Sequence, residues 1–386
     1  MTQQTIARMA FACLALWASS CLNVTEERAR RDLEVGKRES AGTRVEVTDG
    51  LAAVRALSTS SLELWANAPA LRVLLELPGW QAPSSGGAAS AEAPPPFTVV
   101  VRNVLRGVEV TLRDDEGAPV SVQAVERDAA AEGASEFVFS FERGSGGVFS
   151  FELRPPDLDS DRPFTFIALA DVQEAIDRVG DVFAKMNEQR EARFAMFSGD
   201  ITEDGSASEL AHFQREMRAL SMPLYTTLGN HELGDSDVPY HDYFGRGSQS
   251  FRFHGVRFTT LDSASATVDP MVYGWLEEWL RAGQAENHLL FMHVAPLDPS
   301  GVRNGAFSSR AEAAKILSML GRARIDTTFY GHVHSYYAFE NAGIPAYISG
   351  GGGAIPERFD GVGRHFLAVR VDPRVAGTDV DLVRVD

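Results

Sequence analysis

Two apolar, strand-like runs that are each followed at once by polar side chains constrain this chain more than any other feature. The first run, 194–197, ends at Ser198-Gly199-Asp200, which predicts a buried strand that opens into a tight loop. The second run, 224–228, is followed by Gly229, which allows a sharp turn, and then by Asn230-His231-Glu232. Each strand therefore places ligand groups directly beyond its end.

The residues between the two runs have the spacing of a helix. Ser206 is suited to an N-cap, and apolar residues follow it on one helix face at Leu210, Phe213, Met217 and Leu220. The order strand, helix, strand predicts a βαβ unit. Parallel strands joined by a right-handed crossover end at the same edge of a sheet, so both loops should meet where open α/β folds bind ligands.

Length and charge restrict the class of protein. With 386 residues, of which 44% are hydrophobic, the chain can bury a sizeable core and is long enough for two domains. A formal net charge of -17 argues against a nucleic-acid partner, because binding a phosphate backbone needs clustered positive charge. A small phosphorylated ligand is still compatible with this charge, since bound metal ions can supply local positive charge.

The N-terminus has the pattern of an export signal. Arg8 precedes the apolar run 9–18, which is too short to span a bilayer and is followed by small residues up to Cys21. Ala18-Ser19-Ser20-Cys21 resembles the lipobox of bacterial lipoproteins, in which the cysteine is lipidated and becomes the first mature residue. We expect residues 1–20 to be a signal peptide and the exported protein to be anchored in the cell envelope through Cys21. The alternatives are a periplasmic or secreted protein that carries no lipid, and a protein that is anchored by its uncleaved signal.

Two further features concern the segment next to this signal. The only other cysteine, Cys13, lies within the signal, so the mature body has no disulfide and depends on core packing and any bound metal for its stability. Residues 21–44 are rich in charges of both signs, which predicts a tether or a solvated helix.

Residues 45–156 consist of short β runs separated by turns. Most of these runs alternate with a period of two, as in 137–141 and 148–153, and Gly144-Ser145-Gly146-Gly147 predicts a hairpin between those two. Repeated strands over such a length favour a small β-sandwich. The insert 83–96 is rich in Ser, Gly, Ala and Pro and predicts a flexible loop. We see no catalytic set of residues here, so a spacer or interaction module is expected.

From residue 157 to residue 386 strands and helices alternate, and further polar residues follow strand ends. The run 164–170 ends at Asp171, 288–292 ends at His293, and 327–330 precedes His332 and His334. A single Asp at a strand end is more often a turn former than a ligand. The complete set is larger than chance explains: Asp171, Asp200, Asn230, His231, His293, His332 and His334.

A pair of metal ions needs an anionic bridge together with several oxygen or imidazole ligands, and these segments supply such a set. The ordered motifs resemble the signature of the calcineurin-like metallophosphoesterase superfamily from about residue 164 onward. The motifs are Asp171-Val172-Gln173, Gly199-Asp200, Gly229-Asn230-His231-Glu232, His293 and Gly331-His332-Val333-His334. The resemblance implies an α/β fold, an αββα sandwich of two packed mixed β-sheets flanked by helices, here preceded by the small all-β sandwich domain. That order of domains is similar to purple acid phosphatases, although the tyrosine that follows their Gly-Asp is missing after Asp200.

The resemblance also implies a role for each matching residue. Asp200 bridges two divalent or trivalent metal ions, which in this family are Fe, Mn or Zn. Asn230, His293 and His332 complete one metal site, and Asp171 and His334 belong to the other. Gln173 stands where the family has histidine and offers an amide oxygen as a replacement ligand. His231 is not a ligand but donates a hydrogen bond or proton to the leaving oxygen, and Glu203 or Asp204 is left as its orienting partner.

These roles predict a metal-dependent hydrolase of phosphomonoesters or phosphodiesters that uses a metal-bound hydroxide, with a small phosphorylated substrate or a phosphoprotein as its partner. The alternative is a catalytically degenerate lipoprotein of the same fold that acts in binding or adhesion. The glycines of Ser349-Gly350-Gly351-Gly352-Gly353 lack the lysine and the following helix of a phosphate-binding P-loop. They predict a close backbone approach beside the site.

Overall fold

The computed structural model describes residues 24–80, 94–127, 136–144, 146–234, 238–301, 305–357 and 361–385. The signal peptide and Cys21, together with most of the insert 83–96, lie outside the described residues. Among the helices that are described, none is long and apolar enough to cross a membrane.

The N-terminal half is a sandwich of two five-stranded sheets, which confirms the predicted all-β architecture. The strands of the first sheet, in the order in which they pair, are β1 (Lys37–Ser40), β2 (Thr43–Val47), β5 (Leu71–Leu77), β10 (Gly147–Arg154) and β7 (Glu109–Arg113). Those of the second are β3 (Ala52–Leu57), β4 (Ser61–Ala66), β6 (Phe97–Arg102), β9 (Glu136–Phe141) and β8 (Gln123–Arg127). Side chains of β5 and β9 alternate between buried and more exposed positions, as the period of two predicts.

The C-terminal half contains two mixed sheets that pack face to face. In pairing order the first is β13 (Leu224–Thr226), β12 (Ala192–Phe197), β11 (Phe164–Leu169), β20 (His365–Val371) and β21 (Asp379–Arg384). The second is β14 (Gln249–Phe253), β15 (Val256–Leu261), β16 (Asn287–Met292), β17 (Thr327–Tyr330), β19 (Ile344–Ser349) and β18 (Tyr336–Asn341). The predicted βαβ unit is confirmed, because β11, β12 and β13 are parallel neighbours.

Helices cover the outer face of each mixed sheet. After α1 (Val24–Glu34), they are α2 (Gly180–Asn187), α3 (Ala207–Glu216), α4 (Tyr240–Tyr243), α5 (Pro270–Ala282) and α6 (Arg310–Ala323). Apolar residues of α2 and α3 pack on the first mixed sheet, and those of α5 and α6 pack on the second. The αββα sandwich predicted from the motifs is therefore confirmed.

Phenylalanine rings fill the space between the two mixed sheets. Phe166 of the first sheet meets Phe258 of the second edge to face at 5.3 Å, and Phe291 stacks on Phe329 at 4.9 Å. Such pairs add specific geometry to apolar burial. They belong to a hydrophobic cluster that continues without a break into the N-terminal sandwich.

The helix start predicted at Ser206 is present, and a second helix is capped by Ser309, but only the first has a full capping box. At α3, Ser206 accepts the Glu209 backbone N–H, and the Glu209 side chain accepts the Ser206 backbone N–H. At α6, Ser309 accepts the Glu312 N–H, whereas the Glu312 carboxylate accepts hydrogen bonds from Thr267, Val268 and Tyr273. The second box is thus only half formed, because a tertiary contact takes its carboxylate.

Two buried asparagines of the N-terminal half complete the edge strand of the first mixed sheet. The Asn67 amide donates to the Thr226 carbonyl at 3.0 Å and accepts the Thr226 N–H at 2.9 Å. Asn103 makes the same pair of bonds with Leu224, at 2.8 and 3.0 Å. Because each amide satisfies one donor and one acceptor, the side chains take the place of a neighbouring strand beside β13.

The segment predicted as a tether or a solvated helix is a helix with a buried face, and its last residues join the first β sheet. Arg28 of α1 is 2% exposed and binds Asp262 through Nε at 2.6 Å and Nη2 at 3.2 Å. Asp32 is also buried and accepts the backbone N–H groups of Gly247 and Ser248. Helix α1 is therefore docked on the C-terminal half: a helix is present, as one of the two alternatives predicted, but its inner face is buried and not solvated.

We expect Arg28→Ala to lower the free energy of unfolding by about 3–5 kcal/mol, because it leaves the Asp262 carboxylate buried without its charged partner. Urea unfolding followed by tryptophan fluorescence measures this change. Arg30→Ala in the same helix is the matched control, since Arg30 pairs with Glu26 on the surface and its loss should cost less than about 0.5 kcal/mol. Equal effects of the two substitutions would contradict the docking role of Arg28.

Candidate metal centre

The predicted ligands all lie just beyond the carboxyl ends of strands, and the two packed sheets bring those ends together. From the first mixed sheet come the residues that follow β11, β12 and β13, and from the second come those that follow β16 and β17. The strands and residues correspond as follows: β11 with Asp171 and Gln173, β12 with Asp200, β13 with Asn230 and His231, β16 with His293, and β17 with His332 and His334.

One group of ligands surrounds Asp200 on the side of His293. Ligand atoms of Asp200, His293 and His332 all lie within 4.8 Å of one another. The Asn230 Oδ1 atom is 2.9 Å from His293 Nε2 and 2.8 Å from His332 Nδ1. Asp200 Oδ2 is 3.2 Å from His293 Nε2. Two imidazoles and two oxygen ligands therefore converge on one position, a donor set that suits Mn, Fe or Zn.

A second group adjoins Asp200 on the side of Asp171. The Gln173 amide nitrogen is 2.9 Å from Asp200 Oδ2 and 3.1 Å from His334 Nε2. His334 Nε2 is 3.7 Å from Asp171 Oδ1, and its Nδ1 lies 2.8 Å from the Ile355 carbonyl, which fixes the ring. A half-turn of the Gln173 amide exchanges its nitrogen and oxygen, so the same position offers an oxygen ligand. Asp200 is the residue that lies between the two groups.

Four residues of the centre have a left-handed backbone that side chains other than glycine adopt only at a cost. Their φ angles are +65° at Asp171, +49° at Gln173, +54° at Asp200 and +70° at His332. Such conformations cost on the order of 1–3 kcal/mol each and persist where the surrounding structure enforces them. All four residues lie at strand ends in the centre. This indicates that the surrounding structure fixes the direction of their side chains, although the backbone alone would prefer other conformations.

Glycines allow the loops to approach the two carboxylates. A Cβ atom added at Gly229 would clash with Asp200 Oδ1, and one added at Gly331 or Gly350 would lie 2.9 or 2.8 Å from Asp171 Oδ2. The predicted close approach of the 349–353 segment is thus confirmed. Gly352 donates its N–H to the Ala170 carbonyl at 2.9 Å, directly before Asp171.

Glu232 joins the two loops that sequence analysis singled out, although no role was predicted for it. Its fully buried carboxylate accepts hydrogen bonds from the backbone N–H groups of Asp200, Gly229 and Thr202 at 2.9, 2.7 and 3.0 Å, and from the Thr202 hydroxyl at 2.8 Å. The sequence feature that could have indicated this role is its position directly after Asn230-His231. Burial is the larger of two effects that raise the pKa of Glu232, and the nearby charge of Asp200 is the other.

His231 lies at the rim of the centre, with part of its ring exposed. Its backbone N–H donates to Asp200 Oδ1 at 2.9 Å. Ring atom Nδ1 is 2.7 Å from the Glu203 carbonyl and 3.6 Å from its carboxylate. Of the two acids left open by the sequence, Glu203 is therefore the neighbour of His231, whereas Asp204 donates its backbone N–H to Glu209.

Burial and mutual electrostatic interaction shift the pKa values of three groups in the centre. Burial alone raises the pKa of Asp200, but the charge of His293 and its hydrogen bond outweigh burial and leave the pKa below the usual range. Burial alone lowers the pKa of His293, yet attraction to Asp200 and their hydrogen bond raise it to about 9. Burial raises the pKa of Asp171 well above its ordinary value, against the effect of His293.

The other five histidines lie outside the centre and contact other groups. His288 is buried, bonds to Thr259, and has a pKa lowered to about 3 by burial and by nearby Arg257. Each of the remaining four has its own neighbour: His212 contacts Asp177, His241 contacts Asp32, His254 contacts Asp157, and His365 contacts the Gly363 carbonyl.

Comparison with known proteins agrees with this geometry. Residues 164–336, which contain every predicted ligand, match the model of the calcineurin-like phosphoesterase family. This segment is a calcineurin-like phosphoesterase domain. The matched residues begin at β11 and end at the start of β18, so the family resemblance inferred from the motifs is confirmed.

Individual relatives are more distant. The chain is 25% identical over 154 residues to a probable glycerophosphodiester phosphodiesterase, GpdQ, of Arcobacter nitrofigilis. That alignment covers 36% of this chain and 55% of the relative, so the chain spans about half of that protein's length. A purple acid phosphatase, PPD1, from yellow lupin aligns with a TM-score of 0.51 at 12% identity, covering 82% of this chain and 70% of the lupin chain. PhoD aligns with a TM-score of 0.46 at 11% identity, covering 82% and 88%. The lupin enzyme thus shares the fold of both halves.

We expect Glu232→Ala to lower the free energy of unfolding of this protein by roughly 3 kcal/mol or more. Several buried N–H groups would lose their acceptor, at about 1–3 kcal/mol each. Urea unfolding measures the loss. Glu191→Ala, on an exposed residue of the same type, should change stability by less than about 0.5 kcal/mol. A loss below 1 kcal/mol for Glu232→Ala would show that the two loops hold their positions without it.

Proposed function

We propose that this protein is a metal-dependent hydrolase of phosphoesters that works with two metal ions. The observation that supports this most directly is the position of the Asp200 carboxylate between two groups of ligands. An anionic bridge of this kind is what a pair of closely spaced cations requires. Membership of the calcineurin-like phosphoesterase family and the distant similarity to a probable phosphodiesterase agree with the reaction class.

The ligands divide between two positions. Asn230, His293 and His332 would hold one ion, and Asp171, Gln173 and His334 the other, with Asp200 shared. The short distances among these side chains and the burial of most of them fit such a pair. When bound, the two ions supply an activated water nucleophile of low pKa and the positive charge that neutralises the phosphoryl oxygens.

The chain's own groups position the ester and assist departure of the alcohol. His231 lies at the rim, where an entering substrate is within reach. Its Nδ1–H is held by the Glu203 carbonyl, which leaves Nε2 directed away from that carbonyl and able to donate to the leaving oxygen. The Glu203 carboxylate lies 3.6 Å from the same ring atom. The leaving alkoxide would then depart as an alcohol, and no covalent intermediate with the enzyme is required.

We also propose where the reaction takes place and on what. The lipobox-like sequence before Cys21 supports an exported protein anchored to the bacterial cell envelope, with the periplasm or the medium as the alternative. The net charge of -17 argues against nucleic acid, and it is compatible with a small phosphorylated substrate or a phosphoprotein because bound metal ions would supply local positive charge.

Two substitutions separate the metal role from the leaving-group role. Asp200→Asn should lose bound metal and nearly all turnover of an aryl phosphate, because the shared anion becomes neutral. His231→Ala should retain both metals and lower kcat by about 10²-fold or more, the usual scale for a general acid. Metal analysis and kinetics on the same preparations test both. Full metal content and activity in Asp200→Asn, or metal loss in His231→Ala, would contradict the assignments.

The alternative, a binding protein that has lost catalysis, is favoured by one observation, glutamine at position 173. If Gln173 is a ligand, Gln173→His should raise occupancy, most clearly for Zn²⁺ or Fe²⁺ at low concentration, because imidazole binds these ions better than an amide oxygen. Metal content after dialysis and activity titrations compare the two proteins, with Gln189→His as the control outside the centre. Identical metal affinities would remove Gln173 from the ligand set. Two retained metals without turnover of mono- or diesters would support the binding protein.

A further inference from the structure

A groove with a volume of about 680 Å³ lies beside the candidate metal centre. Its walls come from the 3-10 helix Gln173–Arg178, the start of α2, the loop after β19, and Arg364. This volume is typical of cavities that hold small organic ligands. None of the groove residues belongs to the ligand set described above.

The groove and the metal centre share parts of their walls. Glu174, which lines the groove, follows Gln173 directly, and the Ile355 carbonyl in the opposite wall is bonded to His334. Between them, Ala354 donates its backbone N–H to the Asp171 carbonyl at 3.0 Å. A substrate whose phosphorus lies at the metals can therefore extend into the groove without leaving the protein surface.

Several charged side chains of the groove already have a partner within the chain. Asp181 binds Arg364 at 2.6 Å, and Asp177 lies 3.2 Å from His212. Glu174 accepts the Ile355 N–H at 3.1 Å. Within the described part of the chain, the exposed guanidinium of Arg178 has no hydrogen bond or ion pair. Arg178 is thus the groove's available cation.

The groove also contains an exposed apolar surface. Ile355 is 66% exposed and stands next to Pro356, although large apolar side chains in this fold are mostly buried. A cation and an apolar side chain in one groove match a ligand with an apolar body and an anionic end. Because the chain carries a net charge of -17, a local cation is needed to hold such a ligand against general repulsion.

We propose that this groove binds the alcohol portion of the substrate, and that this portion carries a second anionic group bound by Arg178 and an apolar part that contacts Ile355. The inference rests on the proposed hydrolase function and makes its substrate class more specific: phosphoesters of alcohols that bear a carboxylate or another anion. Arginine suits this role, since its planar fork binds a carboxylate through two parallel hydrogen bonds.

The test compares phenyl phosphate with 4-carboxyphenyl phosphate, using release of inorganic phosphate by the metal-loaded full chain. The wild type should have the lower KM for the carboxylated ester. In Arg178→Gln the KM for 4-carboxyphenyl phosphate should rise about tenfold relative to that for phenyl phosphate, the scale of one charge-assisted hydrogen bond. Arg178→Lys should recover part of the preference, and kcat for the two esters should keep its ratio.

Arg190→Gln is the matched control, because Arg190 is also exposed but lines a different cavity. It should leave the preference unchanged. An equal KM for both esters in the wild type, or the same preference in Arg178→Gln, would overturn the inference while leaving hydrolysis intact. If the wild type hydrolyses neither these monoesters nor the corresponding diesters, the proposed function fails. In that case calorimetry measures the binding of phenylphosphonate and 4-carboxyphenylphosphonate to the wild type and to Arg178→Gln. A preference for the carboxylated ligand that is lost in Arg178→Gln would support the subsite, and no such difference would overturn it.

Discussion

The hydrogen bonds accepted by the buried Glu232 carboxylate are the constraint on which the metal centre depends. They connect the loop after β12 to the loop after β13, and so fix Asp200 relative to Asn230. This connection supports the left-handed backbone at Asp200, since a free loop would relax to a more common conformation. The candidate ligands are thus positioned by backbone contacts that lie behind them.

The N-terminal sandwich supports the same region from outside. Strand β13 is at the edge of its sheet, and the amides of Asn67 and Asn103 satisfy its exposed backbone groups. The hydrophobic core also continues from the sandwich into the space between the two mixed sheets. Without the sandwich, β13 would be an exposed edge strand. The sandwich is therefore part of the structure that carries the centre, which a role as a simple spacer would not require.

Features that are local in the sequence were predictable, and features created by distant contacts were not. Strand ends such as Asp171 and His293 are visible because an apolar run stops at a polar residue, and the cap at Ser206 is visible from its spacing to Glu209. Nothing local distinguishes Arg28 from the exposed Arg30, because its partner Asp262 is 234 positions away. Glu203 could not be chosen over Asp204, since its closest contact with His231 is made by a main-chain carbonyl.

The distance in sequence between Arg28 and Asp262 also sets an order of events during biosynthesis. Helix α1 emerges from the ribosome early, but it cannot dock until the chain has been made beyond β15. Domains generally begin to fold from the N-terminus during synthesis, so the sandwich can form while α1 is still undocked. Docking of α1 on the C-terminal half is therefore a late step of folding, because its partner Asp262 directly follows β15.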